Sequence, residues 1–402
     1  MFQLTLSETA NMDSRLAGLM ATAHDMLPDI AARAAECEEI RRLPKVTEQE
    51  FREAGFYKVV QPVRFGGMEL DYGSQTELAA EIARVCASSG WNLSITACHA
   101  WMLGMFPGEA QDDIWGANPD ASLSSSFLPM GPVSVESEAD GYRISGRWGF
   151  SSGCDHCQGV ILLGFIDEQD GPCKEPAFLM VPREDYTIED TWHSVGLAGT
   201  GSNDLIFDNV FVPGHRMLRI SDTRGGPTPG SASNPGPIFQ IPLYMAFPFN
   251  TVGAALGAAR GSVDIVAEGL AGRQTVTQVN LAEQQSVQLR IAQTAALAET
   301  AWNALQPVRQ SINADAANGI IPDILTKAQN RLIIGQSAKL CVEAMDHLFP
   351  LLGGRGLARG NAVQRAWRDV HAVAQHVGLV WDIQAGQFGR VKLGLECPDP
   401  KL

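Results

Sequence analysis

The hydrophobic period of this chain changes twice, and that double change limits what it can fold into. Up to about residue 106 apolar residues recur at helical spacing. From about Pro119 they alternate with polar ones, as strands require. Beyond residues 221–237, a stretch rich in Gly, Pro, Ser and Asn, helical spacing returns. The order is therefore helix, β, helix, with the strands gathered in one block. It predicts an α+β multidomain chain: a helical domain over 1–117, an antiparallel β-domain over 118–217, and a helical bundle over 218–402 that opens with the long loop 221–237. Loops of that length are functional or mobile.

Local signals place the elements. Pro28-Asp29 sets a proline in the first turn of a helix to about Leu43. Thr47 with Glu50 reads as a capping box for a short helix to Ala54. Leu78, Ile82 and Val85 mark a helix over Ser74–Ala87, broken by Ser88-Ser89-Gly90, and Trp91–Phe106 forms another, ended by Pro107-Gly108. Val133, Val135, Tyr142 and Ile144 alternate; Val160–Ile166, Phe178–Val181 and Leu205–Val212 are further strands. The last block predicts helices over 240–272, 276–314, 320–350 and 361–387.

Composition removes several classes of function. The 402 residues are 45% hydrophobic, with Lys+Arg 30 against Asp+Glu 45 and a net charge of -15. Such an acidic surface argues against binding a nucleic-acid backbone. The eight cysteines are scattered rather than clustered, so a reducing cytoplasm is expected. Glu8 and Asp13 interrupt any basic leader, and every long apolar run is broken, so neither a signal peptide nor a membrane helix is expected.

Three segments carry chemistry. Gly146-Arg147-Trp148-Gly149-Phe150-Ser151-Ser152-Gly153 ends a strand in a turn; alone, its serines would bond their own backbone. Trp192–Asp204 carries Gly196, Gly199 and Gly201 but runs into a strand, so it is no Rossmann phosphate loop. Gly353-Gly354-Arg355-Gly356 precedes a helix bearing Arg365-Ala366-Trp367-Arg368-Asp369-Val370-His371. Together these segments resemble the acyl-CoA dehydrogenase fold, and within it the two-component flavin-dependent monooxygenases that act on phenolic, secosteroid and indole-type substrates. The resemblance covers nearly the whole chain.

It implies an oxygenase component that takes reduced FAD or FMN, FADH2 preferred, from a separate NAD(P)H:flavin reductase, reacts it with O2 to a C4a-hydroperoxide, and hydroxylates a small aromatic substrate. A homotetramer is implied, and no metal. The catalytic residues it points to are His371, Ser152 and His99. His371 and Ser152 (or Ser151) would stand at the flavin C4a–N5 edge. His99 would take a phenolic or N–H proton, although a buried, satisfied histidine is the ordinary reading of its apolar helix. Flavin contacts would come from Trp148, Phe150, Ser151, Ser152, Trp192, Thr200, Arg273, Gly353, Gly354 and Arg368, and substrate contacts from His99, Ser125 and Phe247. Cys154-Asp155-His156-Cys157 has a CxxC spacing without a second pair, so packing is preferred to zinc.

One departure separates the chemistries the fold permits. A dehydrogenase of this fold needs a carboxylate base near the substrate α-carbon. After Arg368-Asp369 no glutamate occurs until Glu396, and Leu243–Asn250 contains none. N- or S-oxygenation, an unusual dehydrogenase and a non-catalytic scaffold remain as alternatives.

Overall fold

The computed structural model describes residues 13–167, 174–275, 277–399 and 401–402; Glu8 and Cys173 lie outside them. The amino-terminal part packs α1 (Ser14–Glu39), α2 (Lys45–Glu53), α3 (Ser74–Ala83), α4 (Ala87–Leu103) and α5 (Gly108–Trp115). Asp13, not Pro28, opens α1: its carboxylate accepts the Arg15 amide at 2.8 Å, and Pro28 lies inside the helix. Thr47 is buried inside α2, and Glu50 reaches Arg33 at 2.5 Å, so no capping box forms. Ser88-Ser89-Gly90 does not break a helix either. The chain breaks at Arg84–Cys86, and Gly90 lies within α4, where a Cβ would fall 2.5 Å from the Ala79 carbonyl. Glycine is there for helix-on-helix approach, which sequence punctuation does not distinguish from a stop.

The middle part is two sheets face to face. One has the order β1 (Leu123–Ser126), β5 (Gly159–Asp167), β6 (Lys174–Pro182), β9 (Met217–Arg219). The other runs β2 (Leu128–Pro129), β4 (Gly141–Ser151), β8 (Asn203–Pro213), β7 (Thr187–Glu189), with β3 (Ser134–Glu138) beside β4. Pairing is antiparallel except for β1 with β5, where Ser125 lies opposite Ile161. A separate core fills the sandwich, built from Val135, Ile144, Trp148, Leu162, Leu179 and Phe207.

The carboxy-terminal bundle comprises α6 (Leu243–Leu270), α7 (Gln285–Ala317), α8 (Ile324–Leu348), α9 (Ala362–Ala374) and α10 (Trp381–Lys392). Its helices α6 and α9 also pack on α4, so one continuous core joins the helical parts. The helix expected over 361–387 is two helices, α9 and α10, with a turn at residues 375–380. Residues 221–237 are stapled down rather than free. Asn234 donates to the Gly104 carbonyl at 2.8 Å, and a Cβ on Gly230 would stand 2.2 Å from the same carbonyl. No described helix is long and apolar enough to cross a membrane.

Candidate active site

Helix α4 is buried along its whole length because the β-domain covers one side and α6 the other. Trp91, Ile95 and His99 recur every four residues, so they share one face of it. The His99 Nδ1 lies 2.8 Å from the Leu123 carbonyl at the start of β1. A carbonyl only accepts, so Nδ1 carries the proton and Nε2 presents a lone pair. That Nε2 is buried and has no hydrogen-bond partner among the described residues. Burial pushes the His99 pKa down to about 4, so the ring stays neutral at physiological pH.

Eight residues back on the same face, the Trp91 indole N–H donates to Ser152 Oγ at 3.0 Å. Ser152 in turn lies 2.7 Å from Ser202 Oγ, and Ser202 lies 2.7 Å from Thr200 Oγ1. Thr200 donates to the Leu197 carbonyl at 2.8 Å. The turn after β4 holds this row in place: Gly153, at φ +69, donates its amide to the Thr200 carbonyl at 2.9 Å. Ser151 Oγ beside it is buried, with no hydrogen-bond partner among the described residues. Phe150 has the left-handed φ of 62° and is 53% exposed, with Trp192 edge-on at 5.8 Å. A large aromatic is thus held outward in a backbone conformation that L side chains rarely adopt.

The turn between α9 and α10 adds a residue that the sequence reading passed over. His376 sits there, its ring 5.7 Å from Trp91 and 6.2 Å from Phe247. The Gly378 amide donates to its Nδ1 at 3.2 Å, so Nε2 carries the hydrogen. Burial, reinforced by Arg331, pushes its pKa down to about 4, and this ring too is neutral. The clue was Gly378 in a helical run: a Cβ there would stand 2.8 Å from Pro248, so the chain must turn where it crosses α6.

Aromatic rings continue the cluster. Phe247 on α6 meets Phe127 at 5.7 Å, Phe127 meets Phe178 at 5.2 Å, and Phe178 stacks on Tyr244 at 6.2 Å. Ser125 lies on the opposite face of β1 from the buried Ser124 and Ser126 and is partly exposed.

The structure therefore gathers His99, Ser151, Ser152, Thr200 and Phe247 around α4, with Phe150 and Trp192 as an aromatic pair at the edge. It separates other expected residues from them. Trp148 is fully buried in the sandwich core and donates to the Leu163 carbonyl at 2.9 Å; β4 twists past a register shift between Trp148 and Ser151, so it faces away from the serines. His371 turns to the α8 side. Its Nδ1 reaches the Trp367 carbonyl at 2.7 Å and its Nε2 lies 3.3 Å from Asp346. Arg368 is committed to the Val195 carbonyl and to Glu38, both at 2.6 Å. Its neighbour Asp369 accepts the Leu197 amide at 2.6 Å, and burial pushes this carboxyl up to about 7. Arg273 lies past the end of α6 and is partly exposed; Gly353 and Gly354 are exposed, with no atom within 4 Å of a Cβ on either. Cys154 and Cys157 are buried, and burial pushes the Cys157 thiol up to about 12, the state of a packed rather than a ligating sulfur.

The residues present fit a flavin ring: an outward aromatic pair to lie against it, an orphaned hydroxyl and a hydrogen-bonded serine at its edge, and a neutral imidazole N–H alongside. This fold and site define a flavoprotein of the acyl-CoA dehydrogenase fold. The family models agree, with the acyl-CoA dehydrogenase N-terminal domain matching residues 19–117 and the C-terminal domain residues 250–381. The FADH(2)-dependent resorcinol hydroxylase oxygenase component of Rhizobium sp. (strain MTP-10005) is 36% identical over 95% of this chain and 95% of its own. The HsaA monooxygenase structure from M. tuberculosis has a TM-score of 0.90 at 31% identity, covering 96% of this chain and 100% of that one. XiaF from a Streptomyces species, solved with FADH2 and glycerol, has a TM-score of 0.88 at 26% identity, covering 98% and 99%. The chain belongs to the oxygenase components of the flavin-dependent monooxygenases, and it is an enzyme that uses reduced flavin and O2.

Proposed function

We propose that this enzyme hydroxylates a small phenolic ring, with His99 receiving the phenol and His376 and Ser152 serving the flavin edge. The observation that carries the substrate class is His99 Nε2, a buried lone pair with no hydrogen-bond partner among the described residues. A phenolic O–H satisfies that lone pair, and a ring lacking a donor leaves it orphaned, which is how buried polar groups discriminate substrates. Drawing the phenolic proton toward Nε2 raises electron density on the ring, and the Leu123 carbonyl supports the imidazole from the other side. Phe247 and Ser125 would line the ring's position.

Reduced flavin, when bound, supplies the electrons that activate O2 for transfer of one oxygen atom. The protein's share is placement. Phe150 and Trp192 would lie against the ring, and Ser152 or Ser151 would bond N5. His376 Nε2–H is a neutral donor that needs no reorganisation to meet charge building on oxygen. This reading moves the role that the resemblance suggested for His371 to His376, because His376 is the histidine in contact with Trp91. Trp148 and Arg368 take structural roles instead. Arg273, Gly353 and Gly354 would meet the flavin phosphates across a subunit boundary in a homotetramer; their exposure, and Leu357 at 75% exposed beside them, support that. The reduced flavin would come from a separate NAD(P)H:flavin reductase. Dehydrogenation is disfavoured because the buried carboxyl of α9, Asp369, already accepts the Leu197 amide.

The test is turnover under ¹⁸O2 with reduced FAD and a panel of phenols beside their methyl ethers. Hydroxylated phenol carrying one labelled oxygen, with the ethers poor, is expected. Equal turnover of both sets would remove His99 as the basis of selection, and desaturation of an acyl thioester would overturn the class.

A further inference from the structure

The hydrogens of the buried row Trp91–Ser152–Ser202–Thr200–Leu197 can be assigned by counting donors. The indole N–H only donates, so Ser152 Oγ accepts from Trp91. Thr200 Oγ1 donates to the Leu197 carbonyl; Ser202 then donates to Thr200, and Ser152 to Ser202. In this arrangement Ser152 has its hydrogen committed and one lone pair left, so toward a ligand it accepts only. A second arrangement satisfies the same atoms. Each hydroxyl rotates about its own C–O bond: Thr200 donates to Ser202, Ser202 to Ser152, and Ser152 donates outward. The sole loss is Thr200's bond to the Leu197 carbonyl. That carbonyl is oversupplied, receiving the Trp192 indole N–H at 2.9 Å and the Thr200 amide at 3.1 Å as well. Ser152, Ser202 and Thr200 are all buried, so no water competes for these bonds.

We infer that Ser202 and Thr200 are positioning residues that let Ser152 switch between acceptor and donor, matching a flavin N5 that bears hydrogen when reduced and a bare lone pair when oxidised. This rests on the proposed placing of N5 beside Ser152. No heavy atom moves in the switch, and the one hydrogen bond given up is Thr200's to the Leu197 carbonyl. Its use is that the reduced flavin which arrives and the oxidised flavin which leaves are each met by a complementary hydroxyl. Removing the Thr200 oxygen takes away the acceptor for Ser202, which must then donate to Ser152, and Ser152 is locked as an outward donor. Ser202→Ala locks it the same way by removing the acceptor for Ser152.

The experiment is anaerobic equilibrium binding of oxidised FAD and of dithionite-reduced FAD to wild type, Thr200→Val, Thr200→Ser and Ser202→Ala. Thr200→Val should shift the ratio of the two dissociation constants about tenfold in favour of the oxidised form, the scale of one buried hydroxyl left unpaired. Thr200→Ser, which restores the oxygen, should keep the wild-type ratio. An unchanged ratio in Thr200→Val, or equal shifts in the valine and serine variants, overturns the inference while leaving the flavin site standing. Should Thr200→Val bind neither form, Ser202→Ala decides by the same ratio. Wild type that binds neither form sinks the flavin reading itself.

Discussion

The ring of His376 stands edge-on to Trp91, centroids 5.7 Å apart at 67°, while the same indole donates its N–H to Ser152 at 3.0 Å. One side chain of α4 thereby fixes both the imidazole from the α9–α10 turn and the serine from the end of β4. Trp91→Phe keeps the ring contact and removes the donor. It should cost about 1 kcal/mol of stability and weaken the binding of reduced FAD by about fivefold, read in parallel by thermal melting and anaerobic titration. Unchanged affinity would show that the indole N–H has no part in orienting Ser152.

His99 makes a prediction about substrates. His99→Gln leaves a side chain of similar reach whose amide also donates, so the lone pair is no longer reserved for a phenol. The turnover of phenols should fall by about 10²-fold, the lower end for loss of a general base, and that of a ring with no acidic proton should fall much less. Equal losses would demote His99 to packing.

The same residue makes a prediction about stability and pH. His99 has a folded pKa of about 4 against an ordinary value of 6.5, so the unfolded chain takes up its proton first as pH falls. Its contribution is complete above about pH 6.5 and is lost as pH drops to about 4. Denaturant titrations should show His99→Gln less steeply dependent on pH in that window, by roughly 3 kcal/mol at most across it. Asp369 works in the opposite sense: its pKa is raised to about 7, so what its protonated form contributes is present below its ordinary range and is lost as pH rises toward 7. A pH profile unaltered by the His99 substitution would contradict a buried neutral imidazole.

Two glycines of α6 separate close approach from simple flexibility. A Cβ on Gly257 would fall 2.0 Å from the Ala80 carbonyl, whereas Gly269 has nothing within 4 Å. Gly257→Ala should destabilise by about 1–3 kcal/mol, and Gly269→Ala should stabilise by about 0.5–1 kcal/mol. Chemical denaturation of the two variants checks both signs.

Much of this architecture was legible because hydrophobic period survives in sequence: the two switches of pattern located both helical blocks and the sandwich. The errors arose where tertiary packing overrode a local signal. Pro28 sits inside α1 and Gly90 inside α4, each read as punctuation because neighbouring helices are invisible to a local pattern. The serines after β4 and His99 were proposed through motif and resemblance, and the fold buries all three. His376 was missed because Gly378 alone betrays the turn, and its cause, Pro248, is 130 residues away in the chain. Trp148 shows the converse: its neighbours in the motif point to the site, while strand twist sends its own ring into the sandwich.

The measurement that bears most directly on the assignment is the partition of consumed oxygen between hydroxylated product and hydrogen peroxide, taken side by side for wild type, His376→Ala and His371→Ala with reduced FAD and a phenolic substrate. His376→Ala is expected to send most of the oxygen to peroxide, and His371→Ala to stay close to wild type. Uncoupling in His371→Ala with His376→Ala intact would contradict the assignment.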